Sequence, residues 1–163
     1  MGGRWRRGVP SSLVKLIRNG ASGGAVLQPW PSLAANDPTD CAKLQYVQSM
    51  EIDVNGIMWV IDVGRKYFAD EGGPDNSCPP KIVFIDVPTG SVLEDETYTF
   101  PADVCPYDGC FLNDIAVDVA RQVGYISNTG NNASDPGGII AYDRTTRQSR
   151  RFDDERLQAE HPP

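Results

Sequence analysis

The chain has 163 residues but a single histidine, His161, and no run of eighteen apolar residues. One histidine in front of two terminal prolines leaves no base to activate a serine or cysteine, so triad hydrolysis is excluded. The missing apolar run excludes a membrane-spanning helix. The opening "MGGRWRRGVP" carries positive charge with no apolar core behind it, so no signal peptide is expected in the chain as written. Basic residues are also scarce, 15 Lys and Arg against 22 Asp and Glu. The net charge of −7 argues against nucleic acid as a partner, which needs a basic face. Arg4, Arg6 and Arg7, and the group Arg144, Arg147, Arg150 and Arg151, read as solvated ends. "SGG" and "EGG" do not follow strands with phosphate-loop spacing and read as turns.

Four cysteines are present, Cys41, Cys78, Cys105 and Cys110, without the CxxC pairs of a zinc site. Two readings stand. Cys105 and Cys110 flank "PYDG", a turn able to bring them together, and Cys41 and Cys78 bracket the first strand pair as a staple would, which implies an oxidising compartment. The other reading is four buried thiols in a cytosolic protein. Asn132, in "NAS", is a glycosylation sequon within a loop of Asn, Gly and Pro.

What the chain does contain is a repeat. "SMEIDVNGIMWVIDVG", Ser49 to Gly64, returns as "FLNDIAVDVARQVGYISNTG", Phe111 to Gly130, and Asp118 follows Asp53 by 65 residues. "PPKIVFIDVPTG", Pro79 to Gly90, returns as "PGGIIAYDRTTR", Pro136 to Arg147. Two ordered matches built of strand-like runs indicate propeller blades. Within the first copy, Val47 to Val54 and Ile57 to Ile61 run near period two and meet at Asn55-Gly56, whose dipeptide favours positive φ at both turn positions. Lys81 to Val87 reads as a strand buried on both faces, and Ser91 to Phe100 as a polar outer strand. Polarity is expected to rise from the inner strand outward. Residues 1–40 read as an irregular covering segment with at most a helical turn near Ser12 to Ile17. The expected fold is all-β: two four-stranded blades, about 41–104 and 105–157, after an irregular lead-in. Two blades cannot close around an axis, so exposed edges predict self-association unless residues 1–40 fold across one of them.

The stretches "GVPSSL", "CAKLQYVQSMEIDVNGIMWVIDVG", "CPPKIVFIDVPTG", "YTFPADV", "FLNDIAVDVARQVGYISNTG" and "GGIIAYDRTT" resemble, in order, the major royal jelly protein/yellow family. The resemblance implies a secreted, six-bladed β-propeller of which this chain covers about the first third. It also implies pairing of Cys41 with Cys78, while Cys105 and Cys110 are particular to this chain. Members of the family bind small ligands such as biogenic amines, and some are associated with dopachrome conversion.

Inner strands of a propeller aim their first side chains into the axial funnel where small ligands sit. Glu51, Asp62, Asn113, Asp114 and Asn128 are therefore the candidate ligand-binding residues. Asn113-Asp114 opening an inner strand also resembles the calcium-dependent lactonase propellers, whose carboxylate and amide oxygens suit a hard cation. The competing structural reading has Asp and Asn capping backbone amides at strand ends, which suits Asp53, Asp86, Asp118 and Asp143 in particular. Trp59, Phe84, Tyr125 and Tyr142 read as core. The sequence thus supports a non-catalytic binding protein that needs no cofactor, with a calcium-dependent hydrolase and a truncated product without activity as alternatives.

Overall fold

A computed structural model describes residues 4–19, 23–130, 135, 137–154 and 156. Asn132 and His161 lie outside the described residues. Strands β1 (Val14–Asn19) and β2 (Gly24–Pro29) form a hairpin where the sequence pattern predicted a helical turn. The first sheet follows, from β3 (Val47–Ile52), β4 (Ile57–Asp62), β5 (Lys81–Asp86) and the short β6 (Ser91–Val92) and β7 (Tyr98–Thr99), both paired to β5. The second sheet runs β8 (Leu112–Asp118), β9 (Val123–Asn128), β10 (Gly138–Asp143) and β11 (Gln148–Phe152) in spatial order, antiparallel throughout. The fold is all-β, two repeated antiparallel sheets consistent with partial propeller blades, as the repeat predicted.

Side-chain alternation on each strand sends residues to two faces, and the two faces of each sheet have separate partners. The front of the first sheet carries Trp59, Ile61, Ile82 and Phe84. It packs on the rear of the second, Ile115, Ile126, Ile140 and Tyr142, to form the main core. Gly124 lies against the Trp59 ring: a Cβ there would stand 3.5 Å from the indole. The rear of the first sheet, Met58, Val60, Val83 and Ile85, is closed by Leu13 and Leu44 with Trp30 against them. The N-terminal segment thus lies across one face of the first sheet.

Burial departs from the expected gradient. The middle strands β4 and β5 are nearly all buried, whereas the inner strand β3 is half-buried, because β4 and β5 are covered on both faces and paired on both edges while β3 is paired in its sheet only to β4. The outer strand is broken between β6 and β7 by a short 3-10 turn, Glu94–Glu96. That break turns Glu96 toward Arg144 of the second sheet, which also covers the rings of Trp59 and Phe84. Of the Asn55-Gly56 pair only Gly56 has positive φ, at 79°.

Arginines read as solvated are partly in the interior. Arg4 is fully buried and donates to the carbonyls of Val9, Pro10, Asn36, Leu44 and Gln45. Arg151 pairs with buried Asp135 at 2.5 Å. The reason is the same in both places: loops folded over a sheet end leave carbonyls or a carboxylate away from water, and a guanidinium supplies up to five donors.

Candidate functional site

The inner strands β3 and β8 lie side by side, and each carries a bulge at the same repeat position. Register shifts between Val47 and Ser49 and between Leu112 and Asp114, leaving Gln48 and Asn113 as the extra residues. A bulge re-aims the side chains around it. Here it brings repeat-equivalent polar groups into contact: Gln48 Nε2 donates to Asn113 Oδ1 at 3.4 Å, and Ser49 Oγ donates to Asp114 Oδ1 at 2.6 Å. Further along, the Val117 amide donates to Glu51 Oε2 at 2.9 Å. The result is a continuous polar wall of Gln48, Ser49, Glu51, Asn113 and Asp114, with Ser127 Oγ accepting from the Asp114 amide. Asp114 is exposed and the others are half-buried.

Two of the candidate residues stand elsewhere. Asp62 is fully buried at the end of β4. Its Oδ1 accepts the amides of Tyr46 and Gly64, and its Oδ2 accepts the Gln45 amide and meets Lys81 Nζ at 2.9 Å. Burial alone pushes this carboxyl up, but the Lys81 ammonium and the Gln45 and Tyr46 amides together hold it below the ordinary carboxylate range. Asn128 repeats the arrangement in the second sheet. Its Oδ1 accepts the amides of Phe111 and Gly130, and its Nδ2 donates to Asp135. Each side chain latches the entry of its inner strand to the end of the next strand. Glu51, Asn113 and Asp114 are brought together on the wall; Asp62 and Asn128 are placed in these latches.

The strand-end carboxylates cap turns. Asp53 accepts the amides of Asn55 and Ile57 and the Trp59 indole, Asp86 that of Thr89, Asp118 that of Arg121, and Asp143 those of Thr145 and Thr146. Among the described residues no three His, Cys, Asp or Glu side chains form a group suited to a metal ion.

Two residues ahead of each bulge stands an aromatic ring, Tyr46 and Phe111, with centroids 6.0 Å apart. Phe68 and Trp5 complete the cluster at 5.3 to 5.9 Å. Burial pushes the Tyr46 hydroxyl up to about 12, and that hydroxyl has no hydrogen-bond partner among the described residues. Sequence reasoning missed Gln48, Ser49 and this cluster. The signal was in the repeat: Gln48 and Asn113, and Ser49 and Asp114, are each 65 residues apart.

Both disulfides form, Cys41–Cys78 across 37 residues and Cys105–Cys110 across 5. The first ties the segment before β3 to the loop before β5. The second closes the turn leading into β8.

The model of the family described as "Major royal jelly protein" matches residues 45–162. Among known relatives, the chain is 31% identical to "Major royal jelly protein 1" of Apis mellifera over 53% of this chain and 19% of that protein. It is 26% identical to "Major royal jelly protein 7" of Apis mellifera over 83% of this chain and 29% of that protein. To "Dopaminechrome tautomerase" of Drosophila melanogaster it is 31% identical over 73% of this chain and 25% of that protein. The chain therefore spans less than a third of the length of each of these relatives. A family match over most of the chain, on two repeated sheets joined through equivalent bulged inner strands, means that the chain belongs to the major royal jelly protein/yellow family.

Proposed function

We propose that this is a secreted, non-catalytic yellow-type protein belonging to a six-bladed propeller architecture, and that the wall formed by β3 and β8 contributes to a site for a small cationic ligand such as a biogenic amine. The observation that carries the reading is the pairing of bulged inner strands, which lines one surface with the oxygens of Ser49, Glu51, Asn113 and Asp114. Carboxylates on such a wall favour a cation, and the half-buried Phe111 ring, two residues ahead of the β8 bulge, suits an aromatic amine. Two disulfides fit an oxidising compartment and support secretion.

Calorimetric titration of the chain with dopamine tests the reading. Binding is expected, weakened at least fivefold by Asp114→Asn and by Glu51→Gln, which keep the shape and remove the charge. No heat at millimolar dopamine would reject it. Titration with calcium in parallel separates the hydrolase alternative: a melting temperature raised by calcium and insensitive after Asn113→Ala would favour that reading instead.

A further inference from the structure

The two sheets differ sharply in the turn that follows their third strands. Aligning Asp143 with Asp86 puts Tyr142, Arg144 and Arg147 where the first sheet has Ile85, Val87 and Gly90. Both turns enter the left-handed region at the last of these positions, Gly90 with φ of 70° and Arg147 with φ of 55°. Glycine suits that backbone, whereas a residue with a side chain is strained in it. The module thus builds this turn without any charge in its first copy, and the polar groups of the second copy serve something other than the turn.

Together with Glu96, Gln122 and Thr145 they line a cleft of about 370 Å³. The cleft lies at the seam between the sheets. Glu96 comes from the break in the outer strand of the first sheet, and the other residues from the turns of the second and from the rear of β10, which packs on the first. A following sheet would pack on the opposite face, that of Tyr125 and Ala141, so this seam is made by the two sheets described. Arg144 donates through Nε and Nη2 to Glu96 Oε2 and through Nη1 to Gln122 Oε1. Arg147 donates to the carbonyls of Asp95 and Thr97. A guanidinium carries five N–H donors, so both arginines keep donors beyond these bonds. Tyr142, at the floor, is 0% exposed, and its hydroxyl has no hydrogen-bond partner among the described residues. Burial pushes that hydroxyl up to about 12 against the opposing pull of Arg147 and Arg144, so at neutral pH it is protonated and able to donate. A buried donor of this kind calls for an acceptor.

We propose that this cleft binds the oxyanion of a small organic acid, held by the Tyr142 hydroxyl and by the guanidinium groups of Arg144 and Arg147. Carboxylate and phosphoryl oxygens match the forked donors of a guanidinium, and the hydroxyl adds a donor from the floor. Charge selects an anion, because two guanidinium groups stand against one carboxylate and that carboxylate, Glu96, is already engaged by Arg144. The volume exceeds that of a bare ion and leaves room for a small organic body. This site uses the outer strands and their turns, shares no residue with the wall on β3 and β8, and does not rest on the amine reading of that wall.

Nitrogen–proton correlation spectra of the 163-residue chain, titrated separately with inorganic phosphate and with succinate while sodium chloride holds the ionic strength constant, test the proposal. Saturable shifts confined to Gln122, Arg144, Thr145 and Arg147 are expected with at least one of the two, and the tighter of them identifies the oxyanion as phosphoryl or carboxylate. Tyr142→Phe is expected to weaken binding about tenfold, the loss of one hydrogen bond to a charged group, without lowering the melting temperature, since the hydroxyl has no partner in the free protein. Glu96→Gln is expected to tighten binding about threefold by removing the one repelling carboxylate. Shifts that grow without saturating in both titrations, as salt screening alone would give, an affinity unchanged in Tyr142→Phe, as a hydroxyl serving only water would give, or an affinity not raised in Glu96→Gln would each overturn it.

Discussion

Asp62 in the first sheet and Asn128 in the second perform one task with different chemistry. Both use Oδ1 to hold two amides, one from the residue that precedes the inner strand and one from a glycine just beyond the strand end. They differ in the second terminal atom. Asp62 brings a charge, which is met by buried Lys81; Asn128 brings a donor, which is met by Asp135, itself paired with Arg151. What recurs is the backbone latch that defines the module. What varies is the neutralisation each sheet needs afterwards, and it is solved locally.

Exchanging the two solutions is the strongest way to break this comparison. Asp62→Asn leaves the Lys81 ammonium buried without its counter-charge and is expected to cost about 3–5 kcal/mol. Removing the lysine as well, in Asp62→Asn with Lys81→Met, is expected to recover part of that loss. Asn128→Asp faces Asp135 with a second carboxylate and is expected to cost about 1–3 kcal/mol, less because Arg151 is at hand. Denaturant unfolding of the four proteins measures all of these. Equal costs for the two single changes would mean that the latches are not distinguished by charge.

The disulfides sharpen the contrast between the sheets. Closing 37 residues constrains the unfolded chain more than closing 5, worth about 4 against about 2 kcal/mol by loop entropy. Cys41→Ser with Cys78→Ser is therefore expected to lower the melting temperature further than Cys105→Ser with Cys110→Ser. Calorimetry decides the order.

The smallest effect lies in the turns after the inner strands. Gly56 takes φ of 79° in the first sheet, and Gln122 takes 55° at the equivalent place in the second. A side chain in that region costs about 1 kcal/mol, which Gln122 offsets through its bond to the Val119 carbonyl. Gly56→Ala is expected to destabilise by about 1 kcal/mol, while Gln122→Gly is expected to be within about 0.5 kcal/mol of neutral. Chemical denaturation of both variants checks the pair.

The order of the strands was legible because duplicated runs of Val, Ile and aromatic residues keep period two and end at turn residues. Lys81 to Val87 read directly as a strand buried on both faces. Arg4 did not, because an arginine among glycines carries no mark of the five carbonyls that loop closure brings to it. Nor did Gln48: a bulge is a one-residue break in alternation, and its consequence, contact with Asn113, depends on a strand 65 residues away. Strand β1 was hidden by a lead-in whose pairing partner, β2, lies across a turn rather than in a repeat. Tyr125 read as core because its strand pattern matches that of Trp59, yet it is 45% exposed, since the alternation fixes which face a side chain takes and not what packs on that face.

Everything rests on the two sheets being successive copies of one module, the front of the first packed on the rear of the second. The most direct test is a nuclear Overhauser measurement between the Trp59 indole protons and the α-protons of Gly124, which touch only in that arrangement. A strong cross-peak is expected. Its absence, with Trp59 contacts instead confined to its own sheet, would contradict the account.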